Sequence, residues 1–87
     1  VSQNKIKKVL ASYYKNDIFI KILKNDTLIS TNDVINTNKC HISVCKTKNK
    51  NKLIILSTID NLIKGGSGQG IQNMNLKFGF PLKTGLI

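Results

Sequence analysis

Glycines, amides and a lysine are concentrated in the segment 57–76, and these residue types are suited to contacting a polar ligand. The segment begins at the apolar end of a predicted strand, continues through Asp60, Asn61 and Lys64, and then enters a predicted helix. Four glycines mark that entry: Gly65, Gly66, Gly68 and Gly70. Because the backbone N–H groups at a helix start point outward with a partial positive charge, such a turn can face an anion or a polar ligand.

These glycines match no established phosphate-binding pattern. The dinucleotide-binding pattern G-x-G-x-x-G opens a parallel βαβ unit with an acidic residue downstream, and the Gly-Lys-Ser/Thr of a P-loop is absent from the sequence. Two interpretations therefore stay open. The turn approaches a ligand, or its glycines let a helix pack closely against a strand.

The two cysteines and the single histidine favour neither a metal site nor a catalytic role. Cys40 and Cys45 are five residues apart in a predicted strand, so their side chains lie on opposite faces, which disfavours a local disulfide or a shared metal. The sequence has no second Cys/His pair to complete a zinc site. His41 has no matched carboxylate or serine motif near it. We therefore expect two buried thiols in a reducing compartment and a histidine that is only part of a strand.

The formal net charge is +10, and every one of the 14 basic residues is lysine. Such a balance is typical of proteins that bind acidic partners, so a small nucleic-acid-binding module is one alternative function. Three observations weigh against it. The lysines are scattered from Lys5 to Lys83, bidentate arginine contacts are impossible, and no aromatic residues alternate with the lysines to stack bases.

With 87 residues, the chain has the length of one small domain or of a piece of a larger one. No run approaches the roughly 18 apolar residues of a membrane span, and the N-terminus does not resemble a signal peptide. Because the first residue is Val1 and not methionine, we expect a trimmed chain or a fragment.

Hydrophobic periodicity and turn residues predict an α+β fold, with a mainly antiparallel sheet and flanking helices. Ser2 and Ser67 are predicted to cap the two helices, and Gly79 is predicted to end the second. The predicted elements are a helix at 3–15, a strand at 18–23, a loop at 25–33, a short edge strand at 34–35, a strand at 38–45, a hairpin tip at 46–52, a strand at 53–59, a helix at 67–79 and an extended tail at 80–87.

Two further predictions concern packing. The strand at 53–59 is nearly all apolar, so we expect cover on both of its faces. In the second helix, Ile71, Met74 and Phe78 share one stripe, which we expect to pack on the sheet.

The run Asp60–Leu76 resembles the C-terminal end of the N-acetyl-gamma-glutamyl-phosphate reductase family. The family pattern there is D-N-L-x-K-G-A-x-G-Q-A-x-Q-N-M-N-L-x-x-G, followed by T-G-L, which Thr84–Leu86 matches. Tyr14 and the run Asp17–Leu23 resemble the family's Y-x-x-E-P-F-V-R-V-L. The run Thr37–Ile42 resembles its T/S-N-x-C-D-I, so the resemblance covers most of the chain in the right order.

Some positions depart from the family pattern. Gly66 and Gly70 replace alanines, at a cost on the order of 1 kcal/mol of helix stability each. Ile18 replaces a proline, and His41 replaces an aspartate. Because these differences indicate a drifting sequence, a non-catalytic remnant of the reductase is a second alternative.

The resemblance implies a C-terminal fragment of a cytoplasmic, NADP-dependent reductase that converts N-acetyl-glutamyl phosphate to N-acetyl-glutamate semialdehyde in arginine biosynthesis. It implies that 1–87 is part of the catalytic and dimerisation domain. Within it, 65–87 is expected to be a returning helix and tail that pack toward a missing N-terminal NADP-binding domain. The catalytic cysteine and histidine of the family lie upstream of Val1, so this fragment alone is expected to be inactive. Association into a homo-oligomer through the sheet is also expected, without membrane binding.

The same resemblance implies a cofactor contact at the glycine turn. In the wider family, an amide near the start of the returning helix contacts the nicotinamide carboxamide, and an amide suits this role because it both donates and accepts. Lys64 is expected either to meet a phosphate or carboxylate or to pair with Asp60. The residues expected to bind NADP are Gly66, Ser67, Gly68 and Gln69.

Overall fold

The structure is a computed structural model that describes residues 2–86, which form a three-stranded sheet, two α-helices and their connections. None of the helices in this part of the chain is long and apolar enough to cross a membrane. The elements are α1 (Gln3–Tyr13), β1 (Ile20–Ile22), a 3₁₀ turn (Thr31–Asp33), β2 (Cys40–Lys46), β3 (Leu53–Ile59), a π-helical turn (Ile63–Ser67) and α2 (Gly68–Phe78).

The sheet is mixed, with the strand order β1-β2-β3, so the mainly antiparallel sheet predicted from the sequence is only partly right. β2 and β3 form an antiparallel hairpin in which Lys46 lies opposite Leu53. β1, however, runs parallel to β2, with Ile20 opposite Cys40. A parallel pair needs a long crossover, which is usually helical. Here loops and one 3₁₀ turn form the crossover, so helical periodicity did not reveal it.

The short edge strand predicted at 34–35 is a turn instead. The N–H of Val34 donates to the carbonyl of Thr31 at 3.1 Å, which closes the 3₁₀ turn. Val34 itself is fully buried. A β-branched apolar residue in this segment therefore marks a core contact of the crossover and not a strand.

Two of the three predicted helix ends are confirmed. The Ser2 hydroxyl accepts a hydrogen bond from the Lys5 N–H at 3.3 Å, and Gly79 ends α2 with a left-handed φ of 73°. The predicted cap at Ser67 is wrong. Its backbone is helical, and its hydroxyl donates to the Leu62 carbonyl at 3.2 Å, because Ser67 is the last residue of a π-helical turn and not an open helix start.

β2 lies at the centre of the sheet and is buried on both faces. α1 packs against β1 and β2, and the crossover approaches β2 at Cys45, whose thiol lies 4.0 Å from the Thr27 carbonyl oxygen. The buried apolar side chains are Phe19, Val34, Ile42 and Val44.

β3 is an edge strand, so the prediction that both of its faces are covered is wrong. Ile54 is 48% exposed and Ile55 is 56% exposed, although they lie on opposite faces. An apolar run indicates that a strand can be covered, but it does not identify the element that covers it. Within residues 2–86, no element lies beyond β3 in the sheet.

The packing face predicted for α2 is also wrong. Met74 is 45% exposed and Phe78 is 63% exposed, whereas the buried residues of this helix are Gly68, Gln72 and Asn75. These three positions are spaced i, i+4 and i+7, so a polar stripe and not the apolar one faces inward. The Asn75 amide donates to the carbonyls of Leu82 and Thr84 at 3.0 Å each and so holds the tail against the helix.

Two glycines of α2 should respond in opposite ways to replacement by alanine. A Cβ at Gly70 would meet open space inside the helix, so Gly70→Ala should stabilise the protein by about 0.5–1 kcal/mol. Gly79 has the left-handed φ of a C-cap, so Gly79→Ala should destabilise it by about 1–2 kcal/mol. Urea unfolding followed by circular dichroism measures both. Equal shifts for the two variants would contradict the assigned helix end.

Candidate functional site at the glycine turn

Asp60 fixes the start of the glycine turn. One carboxylate oxygen accepts the N–H of Asn36 at 2.7 Å, and the other accepts those of Leu62 and Ile63 at 2.8 and 3.2 Å. These bonds, led by the one from Asn36, hold the pKa of Asp60 below its ordinary value of 3.8. The carboxylate thus ties the crossover to the segment that leaves β3.

Most backbone donors of the turn are already used within it. The N–H of Gly65 donates to the Asp60 carbonyl at 3.1 Å, and that of Ser67 donates to the Leu62 carbonyl at 3.2 Å. The N–H of Gly68 donates to the carbonyl of Ile63. These three amides are not available to an anion, so chemistry at this turn depends on its side chains.

Different structural constraints explain the glycines at different positions of the turn. Gly68 is buried, and a Cβ there would collide with the side chain of Asn38 and lie 2.6 Å from the Ile63 carbonyl oxygen. Close packing therefore explains Gly68. Gly66 is exposed and has φ −145° and ψ −116°, which breaks the helical path between the π-helical turn and α2. Gly70 has no packing partner within 4 Å.

Lys64 reaches a buried amide and not the carboxylate of Asp60. Its ammonium group donates to the side-chain carbonyl oxygen of Gln72 at 2.6 Å and lies 5.4 Å from the ring centroid of Phe19. Asn38 donates to the same Gln72 oxygen at 2.9 Å. The predicted ion pair with Asp60 is thus replaced by a three-way polar junction under the turn.

Gln69 lies at the beginning of α2 and is half-buried. Its side-chain amide donates to the Asn73 side-chain oxygen, one helical turn later, at 2.9 Å. Gly66 and Ser67, which precede it, are exposed. This end of the helix therefore presents an amide beside an open stretch of backbone. Among the four residues predicted to bind a cofactor, only Gly68 is buried beneath the surface.

Cys40 lacks the properties of a nucleophile, because burial raises the pKa of its thiol. Burial, followed by the charge of Lys21, lowers the pKa of His41, which is a buried residue of β2. Both cysteines are free thiols and only half-buried, so the prediction of two buried thiols is only partly right. The described part of the chain holds no group of three or more His, Cys, Asp or Glu residues able to bind a metal.

The lysine-rich hairpin tip forms a separate surface feature. Lys46, Lys50 and Lys52 line a cleft of about 330 Å³ together with Gln3 at the beginning of α1. The other lining residues are Thr47, Asn49 and Leu53, so the cleft has no aromatic ring on which a base would stack. The geometry at the tip adds no support for nucleic-acid binding.

The buried amides Asn38, Gln72 and Asn75 were not singled out by sequence reasoning. The sequence did contain a signal for two of them, because Gly68, Gln72, Asn75 and Gly79 are spaced i, i+4, i+7 and i+11 along one helical stripe. On hydrophobicity alone, a stripe of glycine and amide residues is assigned to the solvent-exposed face of a helix. Only the contact with Asn38 shows that it is the inner face.

Comparison with known proteins gives a consistent result. The family model described as semialdehyde dehydrogenase, dimerisation domain, matches residues 1–61. Among curated relatives, the N-acetyl-gamma-glutamyl-phosphate reductase of Thermoanaerobacter pseudethanolicus is 43% identical over 83 residues, which cover 95% of this chain and 24% of the relative. That of Vesicomyosocius okutanii is 49% identical over 81 residues, 93% of this chain and 23% of the relative. That of Clostridium botulinum strain Eklund 17B is 43% identical over 86 residues, which cover 99% of this chain and 25% of the relative.

The chain therefore spans about a quarter of the length of the curated relatives it matches, and the matched part is their C-terminal portion. The resemblance read from the run Asp60–Leu76 is confirmed. The family-model match ends at residue 61, so it does not include the glycine turn, whereas the curated matches cover nearly the whole chain.

The bonds to Asp60 predict a pH dependence of stability. Because its folded-state pKa is depressed, its contribution is complete above the unfolded-state value of about 3.8 and is lost as the pH falls through the folded-state pKa. Urea midpoints measured from neutral pH downward should fall less steeply for Asp60→Asn than for the unchanged protein.

Asp26→Asn is the matched comparison. The N–H of Lys46, and then the side chain of Gln3, lower the pKa of Asp26, so this variant should remove a separate share of the acid dependence at the contact between α1 and β2. A pH profile of Asp60→Asn identical to that of the unchanged protein would show that the three bonds to Asp60 do not contribute.

Proposed function

This chain belongs to the semialdehyde dehydrogenase dimerisation-domain family, and from that premise we propose that it is the C-terminal part of an NADP-dependent N-acetyl-gamma-glutamyl-phosphate reductase. The observation that carries the proposal is the match of nearly the whole chain to the C-terminal quarter of such reductases at 43–49% identity. The complete enzyme would reduce an acyl phosphate to an aldehyde in arginine biosynthesis.

The described residues have a supporting role in this reaction. Acyl-phosphate reduction needs a thiolate nucleophile, a proton carrier and a bound nicotinamide that supplies hydride. Burial raises the pKa of the Cys40 thiol, so this cysteine does not meet the first requirement, and His41 is a buried residue of the central strand β2. These groups are therefore assigned to the rest of the polypeptide, and the present chain supplies a wall of the cofactor site.

The glycine turn fits the nicotinamide end of the cofactor better than its phosphates. A phosphate needs several free N–H donors, but those of Gly65, Ser67 and Gly68 are bonded within the turn. The carboxamide of nicotinamide needs one donor and one acceptor, which the half-buried amide of Gln69 has. Exposed Gly66 and Ser67 leave room for close approach, and Gly68 allows the beginning of α2 to pack against Asn38.

The outer stripe of α2 is the proposed contact with the N-terminal NADP-binding domain. Met74 and Phe78, one helical turn apart, are exposed there, and the ring of Phe80, two residues after α2, has its centroid 6.4 Å from that of Phe78, while the inner stripe of the same helix is polar. Apolar side chains clustered on one surface mark a contact with another body. The segment 65–87 would then be the returning helix and tail that connect the sheet to the cofactor-binding domain.

The open edge of the sheet supports association of the whole protein. β3 leaves Ile54 and Ile55 exposed on its two faces, and the matching family model describes a dimerisation domain. Burial of apolar strand residues is the main source of stability in permanent protein contacts. We assign a homo-oligomeric contact to this part of the sheet.

Replacing Gln69 tests the cofactor contact. In the complete enzyme, Gln69→Ala should raise the KM for NADPH or lower kcat by about tenfold, because loss of one oriented hydrogen bond costs roughly 1–2 kcal/mol. Gln69→Glu keeps the side-chain length but removes the amide donor, so it should show a similar loss. Steady-state kinetics with NADPH varied measures both effects.

Lys50→Ala is the control, since Lys50 is exposed at the hairpin tip, away from the glycine turn and from the outer stripe of α2. It should leave both constants unchanged. Wild-type kinetics for Gln69→Ala would remove the assignment of Gln69, whereas an equal loss in Lys50→Ala would show an effect that is not specific to the turn.

A lysine placed on β3 tests the association. Ile54→Lys and Ile55→Lys introduce a charge on one face each, and at least one of them should shift the complete protein toward monomer, because an unpaired charge is costly to bury. Sedimentation equilibrium gives the mass. Lys50→Glu at the exposed hairpin tip is the control, and an unchanged mass for both isoleucine variants would rule out β3 as the contact.

A further inference from the structure

Three polar side chains from three separate segments meet beneath the glycine turn. Asn38 lies just before β2, Lys64 lies in the π-helical turn, and Gln72 lies on the inner stripe of α2. Asn38 is only 1% exposed and Gln72 only 5%. The single side-chain oxygen of Gln72 accepts from the Asn38 amide at 2.9 Å and from the Lys64 ammonium group at 2.6 Å.

Gly66 has non-helical dihedral angles, so the π-helical turn and α2 do not form one continuous rod. Two backbone hydrogen bonds cross this break, from Ser67 to the Leu62 carbonyl and from Gly68 to the Ile63 carbonyl. Side-chain contacts across the break add to these bonds in setting the direction of the turn. Lys64 lies before Gly66 and Gln72 lies after it, so the bond between them spans the break directly.

Asn38 connects this bond to the sheet. One end of its amide donates to Gln72, and the oxygen at the other end is buried without a hydrogen-bond partner and contacts Gly68. The side chain of Asn38, two residues before β2, is thus held between Gln72 and Gly68 at the beginning of α2.

The surroundings of Lys64 favour this single arrangement. A hydrogen bond from an ammonium group to a carbonyl is stronger than one between neutral groups. The face of the Phe19 ring, 5.4 Å from the ammonium group, stabilises the cation in the same place. The ammonium group of Lys64 is therefore bonded to Gln72 beneath the turn, and this contact gives the cation a structural role there.

We propose that Asn38, Gln72 and Lys64 form a clamp that positions the turn and so orients the Gln69 amide toward the nicotinamide. Gln72 lies three residues after Gln69, so the two are neighbours on the helix surface, and a rotation of α2 at one moves the other. The proposal rests on the cofactor contact proposed for Gln69. These three residues act as positioning residues, without touching the cofactor themselves.

The test compares two replacements of Gln72 in the complete protein. Gln72→Leu keeps a similar volume but removes the shared acceptor, so kcat should fall by about ten- to a hundredfold, since small displacements of a positioning group have effects of this size. Gln72→Glu keeps an acceptor for both donors and should restore most of the rate. NADPH fluorescence titration and steady-state kinetics give affinity and kcat separately.

A double variant separates positioning from general damage. If the clamp acts through Gln69, then Gln69→Ala combined with Gln72→Leu should be no slower than Gln69→Ala alone. Additive losses, or the absence of rescue by Gln72→Glu, would overturn the clamp. Lys50→Ala, at the exposed hairpin tip, should behave as the unchanged protein.

Failure of the clamp and failure of the cofactor contact give different results. Wild-type kinetics for Gln72→Leu, with Gln69→Ala impaired, would overturn the clamp alone. Wild-type kinetics for Gln69→Ala would overturn the cofactor contact and the clamp with it. Should Gln72→Leu fail to fold, Lys64→Met removes the ammonium group, and with it the charge and the hydrogen bond to Gln72, while keeping an aliphatic side chain near Phe19. A kcat equal to the wild-type value would then overturn the clamp.

Discussion

The scarcity of buried apolar side chains is the constraint on which the rest of this structure depends. A small chain buries a smaller fraction of its surface than a large one, and here the described core consists of Phe19, Val34, Ile42 and Val44. Polar contacts therefore help to hold the helices in place. Gln3 does this for α1, by donating to the Val44 carbonyl at 2.8 Å, and Gln72 joins α2 to Asn38 in the segment before β2.

The same constraint explains why apolar surface faces outward. Since the inner stripe of α2 is polar, its apolar stripe, which includes Met74 and Phe78, is left exposed, and β3 leaves Ile54 and Ile55 exposed as well. A structure of this kind is suited to packing against further protein. This agrees with a chain that spans a quarter of its curated relatives and matches a dimerisation domain.

The individual helices and strands could be predicted from the sequence, whereas the segments that pack against them could not. The helices and main strands were found within a few residues, because periods of 3.6 and 2 are properties of each segment alone. The parallel pairing of Ile20 with Cys40, and the exposure of Ile55, depend on which other segment lies alongside, which no local pattern encodes. The choice between the two stripes of α2 was decided by Asn38, thirty-four residues from Gln72.

For the candidate site too, one part could be predicted from the sequence and another part could not. The run Asp60–Leu76 was sufficient to identify the family, because a long match is specific even where its physical meaning is unknown. Its chemistry could not be read in the same way. Backbone N–H groups predicted to face an anion are bonded within the turn, since a π-helical turn precedes α2 where an open helix start was expected. Such a turn depends on the packing of Gly68 against Asn38, which is a contact between distant segments.

The departures from the family pattern can now be weighed by the contacts they affect. Gly70 occupies a helical position where a Cβ would meet open space, so an alanine there would fit and its absence costs only intrinsic helix stability. Gly66, in contrast, occupies the break that separates the turn from α2. The residues that span this break, Lys64 and Gln72, are bonded to one another and to Asn38. The difference at Gly70 therefore leaves the contacts among Asn38, Lys64 and Gln72 unchanged.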